Sequence, residues 1–137
     1  MDVIALIGRI LFVAIFLGSS MAHFTQAESM GAYAESKGVP SGKLMTLASG
    51  VLMVVGGLMV LLGVWADLGA LLLVAFLLPT AFLMHAFWKE TDPMAKQVEM
   101  TQFMKNVSIS GGALVFVALY AGHAQDLGLT ITGPLFG

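Results

Sequence analysis

The sequence predicts an all-α integral membrane protein: a single four-helix bundle with short interfacial helices in its longer connections. Mean hydropathy is +0.94, and only 10% of the 137 residues are charged, against about 25% in an average soluble domain. A helix needs about 20 apolar residues to cross a bilayer, and four runs of this length are present. They lie at about residues 3–22, 44–64, 68–87 and 103–122. With so few charges a water-facing surface could not be covered, so hydrocarbon is the predicted surrounding solvent.

The composition also excludes several classes of function. The net charge is −2 and no basic stripe is present to neutralise phosphates, so nucleic acid is not an expected partner. The absence of cysteine rules out dithiol exchange, disulfides and thiolate-held iron–sulfur clusters within this chain. His23, His85 and His123 are not spaced as a local ligand set, so neither a metal site nor a covalently bound cofactor is predicted. Whether the protein catalyses a reaction stays open.

The first run is interpreted as a membrane helix rather than a cleaved signal, because Arg9 lies inside it and three further runs follow. Arg9, Phe16 and His23 are spaced seven residues apart and share one stripe of this helix. About 21 Å of helix axis separates Arg9 from His23, which places them at opposite interfaces. A guanidinium inside a span needs a partner or water. Asp67 and Asp126, on the same side of the membrane, are the predicted partners, and snorkelling to the headgroups is the alternative.

The connections carry signals for shorter elements. After the first span, apolar residues recur at helical intervals and end at Gly38-Val39-Pro40, which predicts a short amphipathic helix at the membrane surface. Asp92-Pro93 is typical of an N-cap followed by a first helical residue, so the fourth membrane helix is expected to begin near Pro93. The turn between the second and third spans is short, which predicts an antiparallel hairpin.

Small residues mark the second and fourth spans. Ser49, Gly56 and Gly63 recur every seven residues, and Gly111 and Gly112 are adjacent. Small side chains let helix backbones approach closely in lipid, so these positions are assigned to packing within the bundle.

Lysines predict the orientation. Four spans put both termini on one side and the two longer connections, with Lys37, Lys43, Lys89 and Lys96, on the other. Lysine and arginine favour the cytoplasmic side, so the longer connections are predicted to be cytoplasmic and the termini external. Arg9, on the terminal side, acts against this bias.

Polar residues converge at the predicted cytoplasmic leaflet. His23 ends the first span, His85 and Trp88 end the third, and Lys105 and Asn106 begin the fourth. If they point inward, they form a polar pocket among apolar helices, which is the usual form of a small-molecule site. The competing interpretation is that each marks the end of its helix, since Trp, Lys and His favour interfaces. That interpretation is favoured for Trp88, and a buried network for His85 and the Lys105-Asn106 pair.

Several short motifs, taken together in their order and spacing, are fairly specific. They are Gly8-Arg9, Gly38-Val39-Pro40, Gly56-Gly57, His85-Ala86-Phe87-Trp88, Asp92-Pro93, Gln102-Phe103-Met104-Lys105-Asn106 and Gly111-Gly112. From about Ile4 to Tyr120 the chain resembles the DoxX family of small bacterial membrane proteins, although many relatives have a lysine where this chain has His23. The resemblance implies a four-helix bundle in the bacterial inner membrane, linked to redox and oxidative-stress systems.

The resemblance also suggests a ligand, because an isoprenoid quinone would suit the predicted pocket. The first hypothesis is a quinone- or lipid-binding accessory component of a membrane redox system. In it His85 exchanges a proton with a ring oxygen, Lys105 stabilises negative charge and Asn106 orients the head group. The second hypothesis is a structural or assembly subunit of a larger membrane complex, with other subunits or further copies of itself as partners. A channel or carrier is least favoured, because the polar groups cluster at the two ends around an apolar middle.

Overall fold

The computed structural model describes residues 1–123 and 127–137. These residues form five α-helices and a short 3₁₀ turn, with no strand among them. The elements are α1 Asp2–Thr25, α2 Ala27–Ser36, α3 Gly42–Leu62, α4 Ala66–Met84, the 3₁₀ turn Phe87–Lys89 and α5 Pro93–His123. Four of the helices, α1, α3, α4 and α5, are long and apolar enough to cross a membrane. The predicted fold class is confirmed.

The interfacial helix α2 occurs where the sequence predicts it, whereas the described residues of the second longer connection contain only the 3₁₀ turn Phe87–Lys89. In α2, Ala27, Gly31 and Ala34 are buried on one face, and this face packs against α3. The helix stops before Gly38, whose φ of +92° is a left-handed conformation that glycine adopts without strain. The predicted amphipathic surface helix is therefore present between the first two spans.

The start of α5 follows its local sequence signal. The helix begins at Pro93, and Asp92 Oδ2 accepts a hydrogen bond from the Ala95 backbone N–H at 2.8 Å. This side chain satisfies one of the free N–H groups of the first turn. With 31 residues, α5 is about 46 Å long and exceeds the hydrocarbon thickness of about 30 Å. Its first turns therefore extend beyond the hydrocarbon.

The membrane helices pack in the order α1–α3–α4–α5. Close glycine contacts join α3 to α4: a Cβ added at Gly56 would lie 2.8 Å from the Gly69 carbonyl oxygen. The hairpin turn needs glycine at Gly63, where φ is +66°. Glycine packing is confirmed in α3, but a Cβ added at Gly111 or Gly112 of α5 would meet no neighbour within 4 Å. Their expected role in packing within the bundle is therefore wrong.

A layer of apolar side chains fills the middle of the bundle. Val13 and Phe16 of α1, Met53 of α3, Leu73 of α4 and Ala113 of α5 are all nearly fully buried. The outward faces carry large exposed apolar residues instead, as expected for helices whose surroundings are lipid. Examples are Ile10, Leu11, Val55, Phe82, Leu114 and Val115.

The C-terminal tail closes the end of the bundle that holds both chain termini. The Ile131 and Thr132 backbone N–H groups donate to the Gly63 carbonyl at 3.1 and 2.9 Å. Tyr120, which is 1% exposed, donates its hydroxyl to the Thr132 carbonyl at 2.7 Å. The tail is thus tied to the α3–α4 turn and to α5.

The predicted pairing of Arg9 with Asp67 is not found. Arg9 Nη2 donates to the Leu129 carbonyl at 2.7 Å, while the Asp67 carboxylate accepts the backbone N–H groups of Leu135 and Phe136 at 2.7 to 3.0 Å. Both side chains are buried, but their partners are tail backbone groups rather than each other. Asp126, the other predicted partner, lies outside the described residues.

Candidate functional site

A cavity of about 480 Å³ lies at the opposite end of the bundle from the tail. It is formed between α1, α3, α4 and α5, beneath α2. Most of its lining is apolar, with polar side chains gathered in one region. The polar lining residues are Ser19, His23, Thr46, Ser49, Thr80, His85, Lys105 and Asn106.

The cavity brings together four of the five residues that the sequence singles out. His23, His85, Lys105 and Asn106 all line it. Trp88 is absent from the lining; it is 49% exposed and joins an aromatic cluster. Its ring centroid lies 5.1 Å from that of Phe87 and 5.7 Å from that of Phe103. This location fits the interpretation of Trp88 as an interfacial residue, while ligand binding by the other four stays a prediction.

His23 is held by the start of α3. Its Nδ1 lies 2.8 Å from Ser49 Oγ and 3.2 Å from the Thr46 carbonyl oxygen. Its ring also packs edge-on against Phe76 of α4, with centroids 6.0 Å apart. These contacts fix the orientation of the imidazole, so that the end of α1 presents a positioned ring to the cavity. The sequence alone does not single out Ser49 as a site residue.

His85 is held by a residue that the sequence analysis missed. Its Nδ1 lies 2.7 Å from Glu99 Oε2, and the two side chains are 22% and 16% exposed. Glu99 lies on the part of α5 that precedes the predicted membrane span. The signal available in the sequence was the helix start at Asp92-Pro93, which continues α5 as one helix through Glu99 and brings it back alongside the end of α4.

Two buried polar groups on the cavity wall have no hydrogen-bond partner within the described residues. Asn106 is 4% exposed, and its backbone carbonyl accepts a bond from Ser110, but its carboxamide makes none. Thr46 is 6% exposed, and its hydroxyl is likewise unpaired. Buried polar groups in folded proteins nearly always have partners. The enclosed side-chain atom without a partner among the described residues is Arg9 Nη1. The polar atoms of Asn106 and Thr46 therefore remain open to the cavity, where water or the polar end of a ligand can pair with them.

Apolar side chains close the cavity toward the middle of the bundle. Phe16 and Ile109 line it, and Val13 and Ala113 lie in the packed layer beyond them. The polar groups therefore do not continue toward the tail. This arrangement fits a binding cavity that is closed toward the tail better than a path across the membrane.

The roof of the cavity comes from α2 and the residues after it. Met30, Tyr33, Ala34 and Val39 face the cavity from this side. Beside them, Lys37 Nζ donates to Glu90 Oε1 at 3.0 Å and so joins the two longer connections. This hydrogen bond raises the pKa of Lys37 above its ordinary value.

The cavity reaches the surface between α1 and α5. These helices stand at the two ends of the packing order and are not packed against each other as neighbouring pairs are. Ile15 and Ser19 of α1 and Lys105 of α5 line the cavity and are exposed. A ligand could thus extend an apolar tail between these helices while its head lies beside Asn106.

Fold and cavity together define a small integral membrane protein with a head-group-sized cavity near one leaflet. The DoxX family profile matches residues 4–86, which cover nearly all of α1 and the whole of α2 to α4. The chain belongs to the DoxX family. It is 35% identical over 134 residues to the inner membrane protein YqjF of Escherichia coli strain K12, covering 97% of this chain and 86% of that relative. No solved structure matches the chain significantly.

Proposed function

We propose that this protein is an inner-membrane binding protein for an amphiphilic small molecule, an isoprenoid quinone, and serves as an accessory component of a membrane redox system. The observation that carries the proposal is the unpaired carboxamide of Asn106, buried on the wall of a largely apolar cavity. Family membership and the inner-membrane relative support the location.

The polar wall favours a ligand with a polar head group. The side chains of Asn106 and Thr46 make no hydrogen bond within the described residues and are open to the cavity, so water can pair with them when no ligand is bound. A ring oxygen placed between them would accept from either group in place of that water. An all-apolar lipid chain would displace the water without replacing its hydrogen bonds.

The shape of the cavity supports a ligand with a hydrocarbon tail. A volume of about 480 Å³ is within the range of typical small-molecule sites, about 300 to 1,000 Å³. A substituted ring fits in that volume, but a long isoprenoid chain does not. The opening between α1 and α5 lets the chain lie in the bilayer beside Ile15.

Four of the polar lining residues have a role in this proposal. Asn106 orients the head group through its carboxamide, and His85, held by Glu99, exchanges a proton with a ring oxygen. Lys105 stabilises negative charge on that oxygen. His23 fixes the far side of the ring.

The test is extraction and mass spectrometry of the protein purified from its native membrane. We expect one quinone per protein, and we expect its loss in Asn106→Leu, His85→Ala and Lys105→Ala. Gln97→Leu is the matched control, because it replaces an exposed carboxamide of the same helix α5. A cavity that copurifies with no small molecule, or full quinone retention in all three variants, would refute the proposal.

A second candidate function, a structural or assembly subunit without chemistry of its own, is supported by the outer faces of α1 and α5. Gly8, Gly18, Gly111 and Gly112 have no neighbour within 4 Å of an added Cβ. Small-residue faces are typical of helix–helix contacts in membranes. Copurification of a fixed partner that is lost in Gly111→Leu, with the cavity variants unaffected, would favour this function.

A further inference from the structure

The imidazoles of His23 and His85 line the cavity, and each is held through its Nδ1. Ser49 Oγ donates its own hydrogen to the Thr46 carbonyl oxygen at 2.8 Å. The Thr46 backbone carbonyl oxygen, 3.2 Å from His23 Nδ1, can only accept, and the Ser49 hydroxyl, 2.8 Å from Nδ1, can accept as well as donate. Nδ1 of His23 consequently carries a hydrogen and donates it.

His85 is held in the same way. Its Nδ1 lies 2.7 Å from Glu99 Oε2, and a carboxylate only accepts hydrogen bonds. Nδ1 of His85 is therefore also the protonated nitrogen. Because the Glu99 side chain is only 16% exposed, it positions the ring with little competition from solvent.

The other ring nitrogen, Nε2, is the one left for a ligand. A neutral imidazole that donates through Nδ1 presents Nε2 as an acceptor. Within the described residues, no hydrogen bond uses Nε2 of His23 or of His85. When both rings are neutral, these two nitrogens are therefore acceptors on residues that line the cavity.

The donors on the cavity wall favour neither form of a head group. Lys105 Nζ gives one of its three hydrogens to Gln102 Oε1 at 2.5 Å, and the Asn106 carboxamide and the Thr46 hydroxyl can also donate. A hydroxyl oxygen accepts from these donors as a carbonyl oxygen does. The imidazole acceptors are therefore the groups that distinguish a head group with hydrogens to donate.

We propose that the cavity selects a hydroxyl-bearing ring, a hydroquinone, over the corresponding quinone. This inference rests on the proposed function and specifies which form of the ligand is bound. A hydroquinone donates its two O–H groups to the imidazole acceptors, whereas a quinone offers only acceptors and leaves both nitrogens unpaired. With each lost hydrogen bond weakening binding several-fold, we expect about ten-fold or more between the two forms.

The test compares three ligands that share one ring: a short-chain isoprenoid hydroquinone, its quinone and its dimethyl ether. The ether has the same shape but no hydroxyl hydrogen, and it takes no part in redox chemistry. Binding is measured by equilibrium dialysis against protein in nanodiscs, with empty nanodiscs subtracting the lipid partition. Anaerobic dithionite keeps the hydroquinone reduced, and the absence of cysteine leaves no thiol or disulfide for it to alter.

Two variants connect the preference to the imidazoles. Glu99→Gln replaces the acceptor of His85 by a carboxamide that can also donate, so the tautomer is no longer fixed and the preference should fall several-fold. Glu28→Gln is the matched control; it removes a carboxylate that pairs with Lys43 and is 82% exposed, and it should leave the ratio unchanged.

The outcomes separate this inference from the proposed function. Preferential hydroquinone binding that weakens in Glu99→Gln supports the inference. Equal or tighter binding of the quinone or the ether overturns it while leaving a ligand-binding function intact. If none of the three compounds binds, the proposed function fails and the inference fails with it.

Discussion

Arg9 and Asp67 lie at the same end of the bundle, both buried, and each binds the backbone of the C-terminal tail instead of the other. Arg9 donates to the Leu129 carbonyl at 2.7 Å, and Asp67 accepts from the Leu135 and Phe136 N–H groups. Arg9 of α1 and Asp67 of α4 thus bind the tail at two separate positions. The tail is therefore an integral part of the fold rather than an appendage.

Weakening the Asp67 contacts should loosen the tail. Asp67→Asn keeps the size of the side chain but removes its charge and one acceptor oxygen, so the three contacts within 3.0 Å cannot all persist. Hydrogen bonds to a charged group contribute about 1.5 to 3 kcal/mol, and we expect a loss of about 2 kcal/mol in the free energy of unfolding. Thermal unfolding in detergent and protease cleavage of the tail measure this effect.

The control is Asp2→Asn. Asp2 is exposed and accepts a longer bond, 3.3 Å, from the Gly128 N–H. Its replacement should leave both readouts within experimental error. Equal effects of the two substitutions would contradict a special role for Asp67.

Glycine substitutions should have different effects on stability at packed and at open helix faces. A Cβ at Gly69 would lie 2.6 Å from Met59 Cβ, so Gly69→Ala should force α3 and α4 apart and cost about 1 to 3 kcal/mol. Gly111→Ala meets nothing within 4 Å and should stabilise the isolated chain slightly, since alanine favours helix by about 1 kcal/mol. Unfolding by denaturant in detergent measures both, and a destabilising Gly111→Ala in the monomer would contradict the open face.

The ion pair between the two longer connections should give a pH-dependent contribution. Its hydrogen bond raises the pKa of Lys37 above the ordinary 10.5. The stabilisation is therefore fully present below that ordinary value and is lost as the pH rises through the raised one. Glu90→Gln should lower the unfolding free energy at pH 8 by about 0.5 kcal/mol, the usual size for a partly exposed pair. The unfolding free energies of wild type and variant should become equal at strongly alkaline pH. A difference that persists there would show that the Lys37–Glu90 pair does not cause the effect.

The orientation is open to a direct test because the chain contains no cysteine. Single substitutions Lys96→Cys and Thr130→Cys place one thiol at each end of the bundle. In intact cells an impermeant maleimide should label the cysteine at position 130 and leave position 96 unlabelled until the membrane is broken. The reverse pattern would place the longer connections outside.

Local sequence signals are sufficient for the membrane helices and most of their boundaries. The apolar runs predict four spans, and Asp92-Pro93 predicts the start of α5, because both depend only on neighbouring residues. The third run predicts helix to about residue 87, whereas α4 ends at Met84. The residues that follow turn away into the 3₁₀ element Phe87–Lys89.

Long-range partners are harder to predict. The acceptor of Arg9 is a backbone carbonyl 120 residues away, and no charge pattern in the sequence reports a carbonyl. Glu99 is missed as the partner of His85 because their contact depends on where α5 crosses the end of α4. Convergence of His23, His85 and Asn106 is predictable, since antiparallel threading alone brings those helix ends to one leaflet.

A quinone bound in the cavity is the central prediction for this protein. A photoreactive quinone analogue with an isoprenoid tail, activated in nanodiscs and mapped by peptide mass spectrometry, tests it directly. We predict labelling within residues 15–23 and 105–109, suppressed by excess unlabelled ligand. Labels scattered over the lipid-facing surfaces, unchanged by the competitor, would contradict a binding site between α1 and α5.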